Sequence, residues 1–261
     1  MDIRIIREIK RDGWRYTLVR AVAKIVGVQI GVKRLKEKTL ARVIERHGHQ
    51  VAYGLFKGML INPIPFWHHY DLITQILGTY EEHVTKILVT FAKDGAEGFI
   101  DIGAADGYFA IGMSFSNVFN KVYAFEIADA GRERILQNAD RNQVLSSLTV
   151  RSEADIDSVR EIVQDRENWA VLIDIEGAEF DLLSAEMLLV LCKCSIVVEL
   201  HPWLVKDGEE REAELIQRAR KRFDVRLVRR SIYRPNVFRE FDDFSDEERL
   251  VALGEGRQKN M

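Results

Sequence analysis

The segment Gly98-Phe-Ile-Asp-Ile-Gly-Ala-Ala-Asp-Gly-Tyr-Phe-Ala110, followed by Val122-Tyr-Ala-Phe-Glu126, constrains this chain more than any other stretch. An apolar run carries Asp101, breaks at Gly103 and Gly107, and resumes at helical spacing; a second apolar run ends in Glu126. Parallel α/β sheets build nucleoside pockets this way, with a glycine turn after one strand and a carboxylate ending the next to receive two ribose hydroxyls. Dinucleotide pockets want G-x-G-x-x-G, whose bare amides take a pyrophosphate at a helix N-terminus. Here Ala104, Ala105 and Asp106 separate the glycines, and the acid stands where a pyrophosphate needs amides. The pattern favours an adenosyl group without a pyrophosphate, as in S-adenosylmethionine, and disfavours NAD.

The chain has 261 residues, enough for one large domain or a domain with an N-terminal extension, and we place the boundary between 1–93 and 94–261. With 47% hydrophobic and 30% charged residues it can bury a core and is not of disordered composition. Cys192 and Cys194 lie too close for an ordinary disulfide within a strand, and C-x-C alone is a poor zinc signal. We read them as buried free thiols of a reducing cytoplasm. Early apolar residues are interrupted by Arg15, Arg20 and Lys24, so no signal sequence is expected, and no run approaches the roughly 20 apolar residues of a membrane span. The expected location is cytoplasmic, with a peripheral position at the inner membrane surface as a variant.

The net charge of -3 hides an asymmetry: residues 1–46 hold 13 Lys and Arg against 5 Asp and Glu, leaving 25 against 36 for the remainder. A basic arm on an acidic body suggests that the arm meets something anionic, either a membrane surface or an acidic patch on a second subunit of a homo-oligomer.

Apolar periodicity predicts an amphipathic helix over 3–26 and another over 33–47, with short strands in 49–61 turning at Gly54 or Gly58. Asn62-Pro-Ile-Pro65 breaks the pattern, and helices follow over 67–77 and 81–92. Strands are then expected at 98–103, 121–127, 147–154, 170–175, 195–200 and 224–230, with helices at 129–142, 157–166, 179–191 and 208–222 among the connections. Continuous apolar strands alternating with helices imply an α/β, doubly wound, mostly parallel Rossmann-like sheet of six or seven strands, its ligand crevice at the carboxyl ends.

Asp101, Glu126, Asp174, Glu176 and Glu199 all fall near those carboxyl ends. A buried unpaired carboxylate is costly, so the set asks for a ligand or a cation. Period-two geometry puts Asp174 and Glu176 on one side of their strand, and Glu199 and His201 on one side of theirs.

The motifs Phe99-Ile-Asp-Ile-Gly-Ala-Ala-Asp-Gly-Tyr108, Ala124-Phe-Glu126, Ile173-Asp-Ile-Glu-Gly-Ala-Glu179 and Val197-Val-Glu-Leu-His201 resemble the FkbM-like methyltransferases. Gly78-Thr-Tyr-Glu81 and Glu255-Gly-Arg257 resemble elements at the two ends of that match, which runs from about residue 50 to 257. The resemblance implies a class I fold and S-adenosylmethionine-dependent methyl transfer to oxygen, often on sugars or natural products. It also implies that Asp101 orients the glycine loop or the cofactor's ammonium group. That family continues into a last antiparallel strand, which here is absent, supplied by Leu250-Val-Ala-Leu253, or removed.

In this reading Gly103, Ala104 and Gly107 let the methionine part approach the backbone, and Glu126 takes the ribose. Glu153 and Ala154 hold the adenine, and Tyr108 packs over the cofactor or serves the core. A small-molecule or glycan hydroxyl docks against Asp174, Glu199 and His201. There, His201 oriented by Glu199 is the base, or Asp174 and Glu199 ligate Mg²⁺ or Mn²⁺ that acidifies the hydroxyl. The other histidines (47, 49, 68, 69 and 83) show no ligand spacing. A nucleic-acid methyltransferase using the basic arm is a weaker alternative, because no N-P-P-Y-type pocket and no aromatic interleaving accompany it. A non-catalytic adenosyl-binding scaffold is the other.

Overall fold

The structure, a computed structural model, describes residues 31, 33–65, 71–164, 168–228, 238 and 241–253. Helix α1 (33–47) leads into an antiparallel turn bridged at Gln50 and Leu60, and the predicted hairpin is this one bridge, with Gly54 and Gly58 both at positive φ. Helices α2 (Leu72–Leu77) and α3 (Glu82–Lys93) follow. The predicted helix over 3–26, the start of the 67–77 helix and the Glu255-Gly-Arg257 element lie outside the described residues.

From Gly98 the chain alternates as its apolar runs require: β1 (Gly98–Ile102), α4 (Tyr108–Phe115), β2 (Val122–Phe125), α5 (Asp129–Arg141), β3 (Leu148–Arg151), α6 (Ile156–Val163) and β4 (Trp169–Ile173). Two short helices, α7 (Glu179–Leu182) and α8 (Ala185–Val190), stand where one long helix was expected, because Ser184 caps the second by accepting from Met187 N–H. Strand β5 (Ser195–Val198), α9 (Gly208–Ala219) and α10 (Asp246–Leu253) complete the order.

The five strands form one parallel sheet in the order β3-β2-β1-β4-β5. Strands β1 and β4 are buried along their whole length, β4 as its unbroken apolar sequence requires and β1 with Asp101 as its one ionisable residue. Alternation along β1 sends Phe99 to one face and Ile100 and Ile102 to the other. The first face carries α1 to α5 and the C-terminal Phe241 and Phe244; the second carries α6 to α9. A helical layer on each face is the doubly wound arrangement.

The expected six or seven strands are five among the described residues. Residues 224–228 are irregular, with Leu227 and Val228 exposed among the described residues, and 229–230 of the predicted strand lie outside them. Leu250–Leu253 belongs to α10 and not to a strand. A capping box explains this: Glu248 accepts from Ser245 N–H at 2.9 Å, and Ser245 Oγ accepts from Glu248 N–H at 3.2 Å. Glu248 also binds Lys38 (3.0 Å) and Arg42 (2.8 Å) of α1, and Asp243 binds Arg42 and Arg46. Part of the basic arm is thus neutralised by the chain's own C-terminal segment. Of the two free cysteines Cys194 is buried, its thiol pushed up to about 11 by burial, whereas Cys192 is exposed and not buried as expected. Among the described residues no helix is long and apolar enough to cross a membrane.

Candidate functional site

The parallel ladder places the acids. Glu126 N–H bonds Arg151 O, Asp174 N–H bonds Ile102 O, and Glu199 N–H bonds Ile173 O, at 3.1, 3.0 and 2.9 Å. Each acid is therefore the first residue beyond its strand, held by one more rung of the ladder. Asp101 sits one residue before the end of β1, between Ala124 and Leu172. Order β2-β1-β4-β5 then sets all four along one edge of the sheet.

Asp101 is buried, and its carboxylate accepts from Ala110 N–H in the first turn of α4 at 3.0 Å. Burial nevertheless pushes its carboxyl up to about 8, opposed by that N–H and reinforced by the charges of Asp174, Glu126 and Glu81. Asp101 thus lies within electrostatic reach of those three acids. Glu81, buried before α3, was noted in the sequence only within the Gly78-Thr-Tyr-Glu81 element.

The turn after β1 is built on backbone conformation. Gly103 has φ 91°, and a Cβ there would overlap the Asp174 carbonyl oxygen, so the ends of β1 and β4 meet only because no side chain intervenes. Gly103 and Ala104 N–H groups both bond Phe125 O at 2.9 Å. Gly107 has φ 81° and turns the chain into α4 against Ile111 and Ile135. Ala105 between them is left-handed at φ 48°, as are Glu81 (42°) and Glu176 (50°). Left-handed non-glycine residues cost of order 1–3 kcal/mol each; Ala105 is held by Glu126, and Glu176 lies beside His201.

Glu126 braces that turn. One carboxylate oxygen accepts from Ala105 N–H at 3.0 Å and the other from Ala128 N–H at 2.9 Å. Arg132 of α5 binds the carbonyls of Glu126 and Ile127, fixing the loop. Ile127 is 81% exposed beside this carboxylate, an apolar face at a polar edge that sequence reading missed. Glu153 is exposed and Ala154 partly buried after β3, the next strand outward. Tyr108 is buried among Phe56, Tyr80 and Phe109, with ring centroids 5.3 to 5.5 Å away. It also ends a cavity of about 330 Å³ walled by Phe56, Thr85, Lys86 and Val89. A second groove, at Cys192 and Cys194, lies at the amino ends of the strands, away from the acids.

Asp174, Glu199 and His201 come together, each offering a ligand atom within 4.8 Å of the others. His201 is buried; its Nε2 lies 3.6 Å from Asp174, 3.8 Å from Glu176 and 3.9 Å from Glu199. The residue that orients it is Glu179, not Glu199 as expected from the strand alternation. Glu179 is fully buried, accepts from His201 N–H at 2.6 Å and from Gly177 N–H at 2.7 Å, and lies 3.4 Å from His201 Nδ1. The left-handed Glu176 and Gly177 reverse the chain after β4, which brings Glu179 back under the β5 loop. Burial raises the Glu179 carboxyl, but the bonds from His201 and the backbone outweigh it and hold it below the usual range. Burial likewise opposes the His201 imidazolium, and is outweighed by Glu179 and the charges of Asp174 and Glu176, so its pKa is raised.

Glu126 and the glycine turn thus stand at the carboxyl ends of β1 and β2, and Asp174, Glu176, Glu199 and His201 at those of β4 and β5. No protein-family model matches the chain, and no curated protein is similar enough to count as a relative.

Proposed function

We propose that this protein is an S-adenosylmethionine-dependent methyltransferase acting on a hydroxyl group of a small molecule or glycan. The observation that carries the reading is the left-handed glycine turn at Gly103 and Gly107 braced by Glu126, whose two carboxylate oxygens accept from Ala105 and Ala128 N–H at the end of β2. Asp101, with Asp174, Glu126 and Glu81 in electrostatic reach, disfavours a pyrophosphate there and favours a ligand with an ammonium and a sulfonium centre.

Asp101 and the loop at Gly103, Ala104 and Gly107 would hold the methionine end. Each Glu126 oxygen spends one lone pair on a backbone N–H and keeps the other for a ribose hydroxyl. Ile127 offers an apolar face for the adenine, with Glu153 and Ala154 beyond it; Tyr108 supports the loop from the core. When bound, the cofactor supplies a methyl group made electrophilic by its sulfonium.

The chain's part is to place the acceptor oxygen over β4 and β5 and to receive its proton. Asp174, Glu176 and Glu199 are hydrogen-bond acceptors for a hydroxyl, and Glu179 fixes His201 behind them. With the cofactor bound, the acceptor oxygen would take the methyl carbon as its bond to sulfur breaks, leaving S-adenosylhomocysteine, and the hydroxyl proton would pass to this carboxylate–imidazole group.

The scaffold alternative predicts cofactor binding with no turnover. The nucleic-acid alternative draws less support, because Lys38, Arg42 and Arg46 already pair with Asp243 and Glu248. The test is formation of S-adenosylhomocysteine from S-adenosylmethionine with a panel of hydroxylated acceptors. Acceptor-dependent product supports the reading; cofactor binding without product from any acceptor favours the scaffold.

A further inference from the structure

We propose that Asp174, Glu199 and His201, with Glu176 beside them, bind one divalent transition-metal cation of the Mn²⁺ type. Nε2 of His201 faces three carboxylates at 3.6, 3.8 and 3.9 Å, each distance longer than a hydrogen bond. One N–H would close on one oxygen; three near-equal separations instead describe donors arranged around a shared centre. The ligand atoms of Asp174, Glu199 and His201 lie within 4.8 Å of one another, a spacing that one ion can bridge.

The imidazole supplies an independent indication. His201 is buried with only 3% exposure, and its Nδ1, which makes no hydrogen bond among the described residues, lies 3.4 Å from the fully buried Glu179 carboxylate. Histidine ligands commonly give their second nitrogen to a carboxylate, which fixes the ring and leaves the other nitrogen to the metal. Glu179 also accepts from the His201 backbone N–H, so ring and main chain are held together.

Charge points the same way. In their ionised forms, Asp174, Glu176, Glu179 and Glu199 place four negative charges around one imidazole, and an imidazolium would offset one of them. A dication offsets two and leaves the imidazole neutral as a ligand. One nitrogen with two or three carboxylate oxygens is a mixed set that suits Mn²⁺ better than Mg²⁺, which prefers oxygen and water. Asp174 and Glu199 are each 24% exposed and Glu176 46% at the side chain, so water or a hydroxyl can complete the coordination.

The cation would lower the pKa of a bound hydroxyl. Only this consequence rests on the methyltransferase reading; the binding does not. It also assigns His201 as a ligand, leaving the exposed Glu176 as the group that receives a proton.

The experiment titrates the chelator-treated full chain with Mn²⁺ alone, following free Mn²⁺ by electron paramagnetic resonance, without cofactor or acceptor. Expected are one Mn²⁺ per chain and, in pulsed spectra of the wild-type protein, nitrogen coupling from one imidazole. His201→Ala and Asp174→Asn should weaken binding by at least about 100-fold, and Glu179→Gln by about 10–100-fold. No binding by the wild type, binding without nitrogen coupling, or binding that folded Asp174→Asn retains would each overturn the proposal. Calorimetry with S-adenosylmethionine after chelation tests the cofactor reading separately.

Discussion

Two regions of this protein gather acidic side chains, and they treat the charge in opposite ways. At the seam between α1 and α10, Glu248 is met by Lys38, Arg42 and its own helix cap, and its carboxyl is held down at about 2, first by the Ser245 N–H and then by Lys38. At the carboxyl ends of β1, β2 and β4, Asp101 has other acids for neighbours, and burial pushes it up to about 8. The first arrangement consumes its charge in holding two segments together. In the second, Asp101 is met by a backbone N–H and by the charges of other acids, so its ionised form costs stability and a cationic ligand beside it would favour ionisation.

The largest expected effects fall on turnover. His201→Ala should lose on the order of 10²–10⁴-fold in kcat while S-adenosylmethionine still binds, because the change lies over β5 and not over β1. Steady-state kinetics beside calorimetry separates the two. Asp174→Asn should lose as much, or more where a cation is involved. Wild-type turnover in both variants would remove the acceptor site from β4 and β5.

Next in size is cofactor affinity. Glu126→Ala should weaken S-adenosylmethionine binding by about 1.5–3 kcal/mol, the range for hydrogen bonds to a charged group. Since Glu126 also braces Ala105 and Ala128, circular dichroism must show the loop variant folded. Unchanged affinity would discard the ribose assignment.

Smaller effects sharpen the contrast in pH dependence. Glu248 has a folded pKa below its unfolded value of 4.5, so its contribution is complete above about pH 4.5 and is lost as pH falls towards 2. Asp101 has a folded pKa above its unfolded value of 3.8, so stability falls as pH rises from 3.8 to about 8. Denaturant titrations should therefore show Glu248→Gln flattening the acid limb, and Asp101→Asn gaining on the wild type as pH rises towards 8. Removing the Ser245 cap by Ser245→Ala should cost about 0.5–2 kcal/mol. Identical pH profiles for the wild type and both acid variants would erase the distinction between the regions.

The smallest effect concerns the arm. Residues 1–30 carry 7 basic against 3 acidic residues, while the described part of the arm spends Lys38, Arg42 and Arg46 on the chain itself. Weak, salt-sensitive sedimentation with anionic vesicles is expected from the former alone. Vesicle binding insensitive to moderate salt, or none, would reject an electrostatic membrane contact.

Strands β2, β4 and β5 were legible because parallel strands are written as apolar runs, which Asp101 interrupts in β1 and Thr149 and Arg151 in the outer strand β3, and the acids stood out against those runs. The stretch 224–230 looked similar, but Arg226 interrupts Val225 and Leu227, and among the described residues the side chains at 227 and 228 are exposed. The α10 helix did have a sequence signal, Ser245-Asp-Glu-Glu248, which outweighs the strand-like look of Leu250–Leu253. Glu179 was hidden because strand parity stops applying where the backbone turns left-handed at Glu176. From that point only the folded path shows which acid of Asp174-Ile-Glu-Gly-Ala-Glu179 is buried under His201.

The most direct test of the central claim is a calorimetric titration of the full chain with S-adenosylmethionine and with NAD near pH 7, repeated in buffers of different ionisation enthalpy. The account predicts one S-adenosylmethionine per chain and no NAD binding. It also predicts proton release on binding, because a cation beside Asp101 ionises a carboxyl that is otherwise held up at about 8. NAD binding, or no S-adenosylmethionine binding, would contradict it.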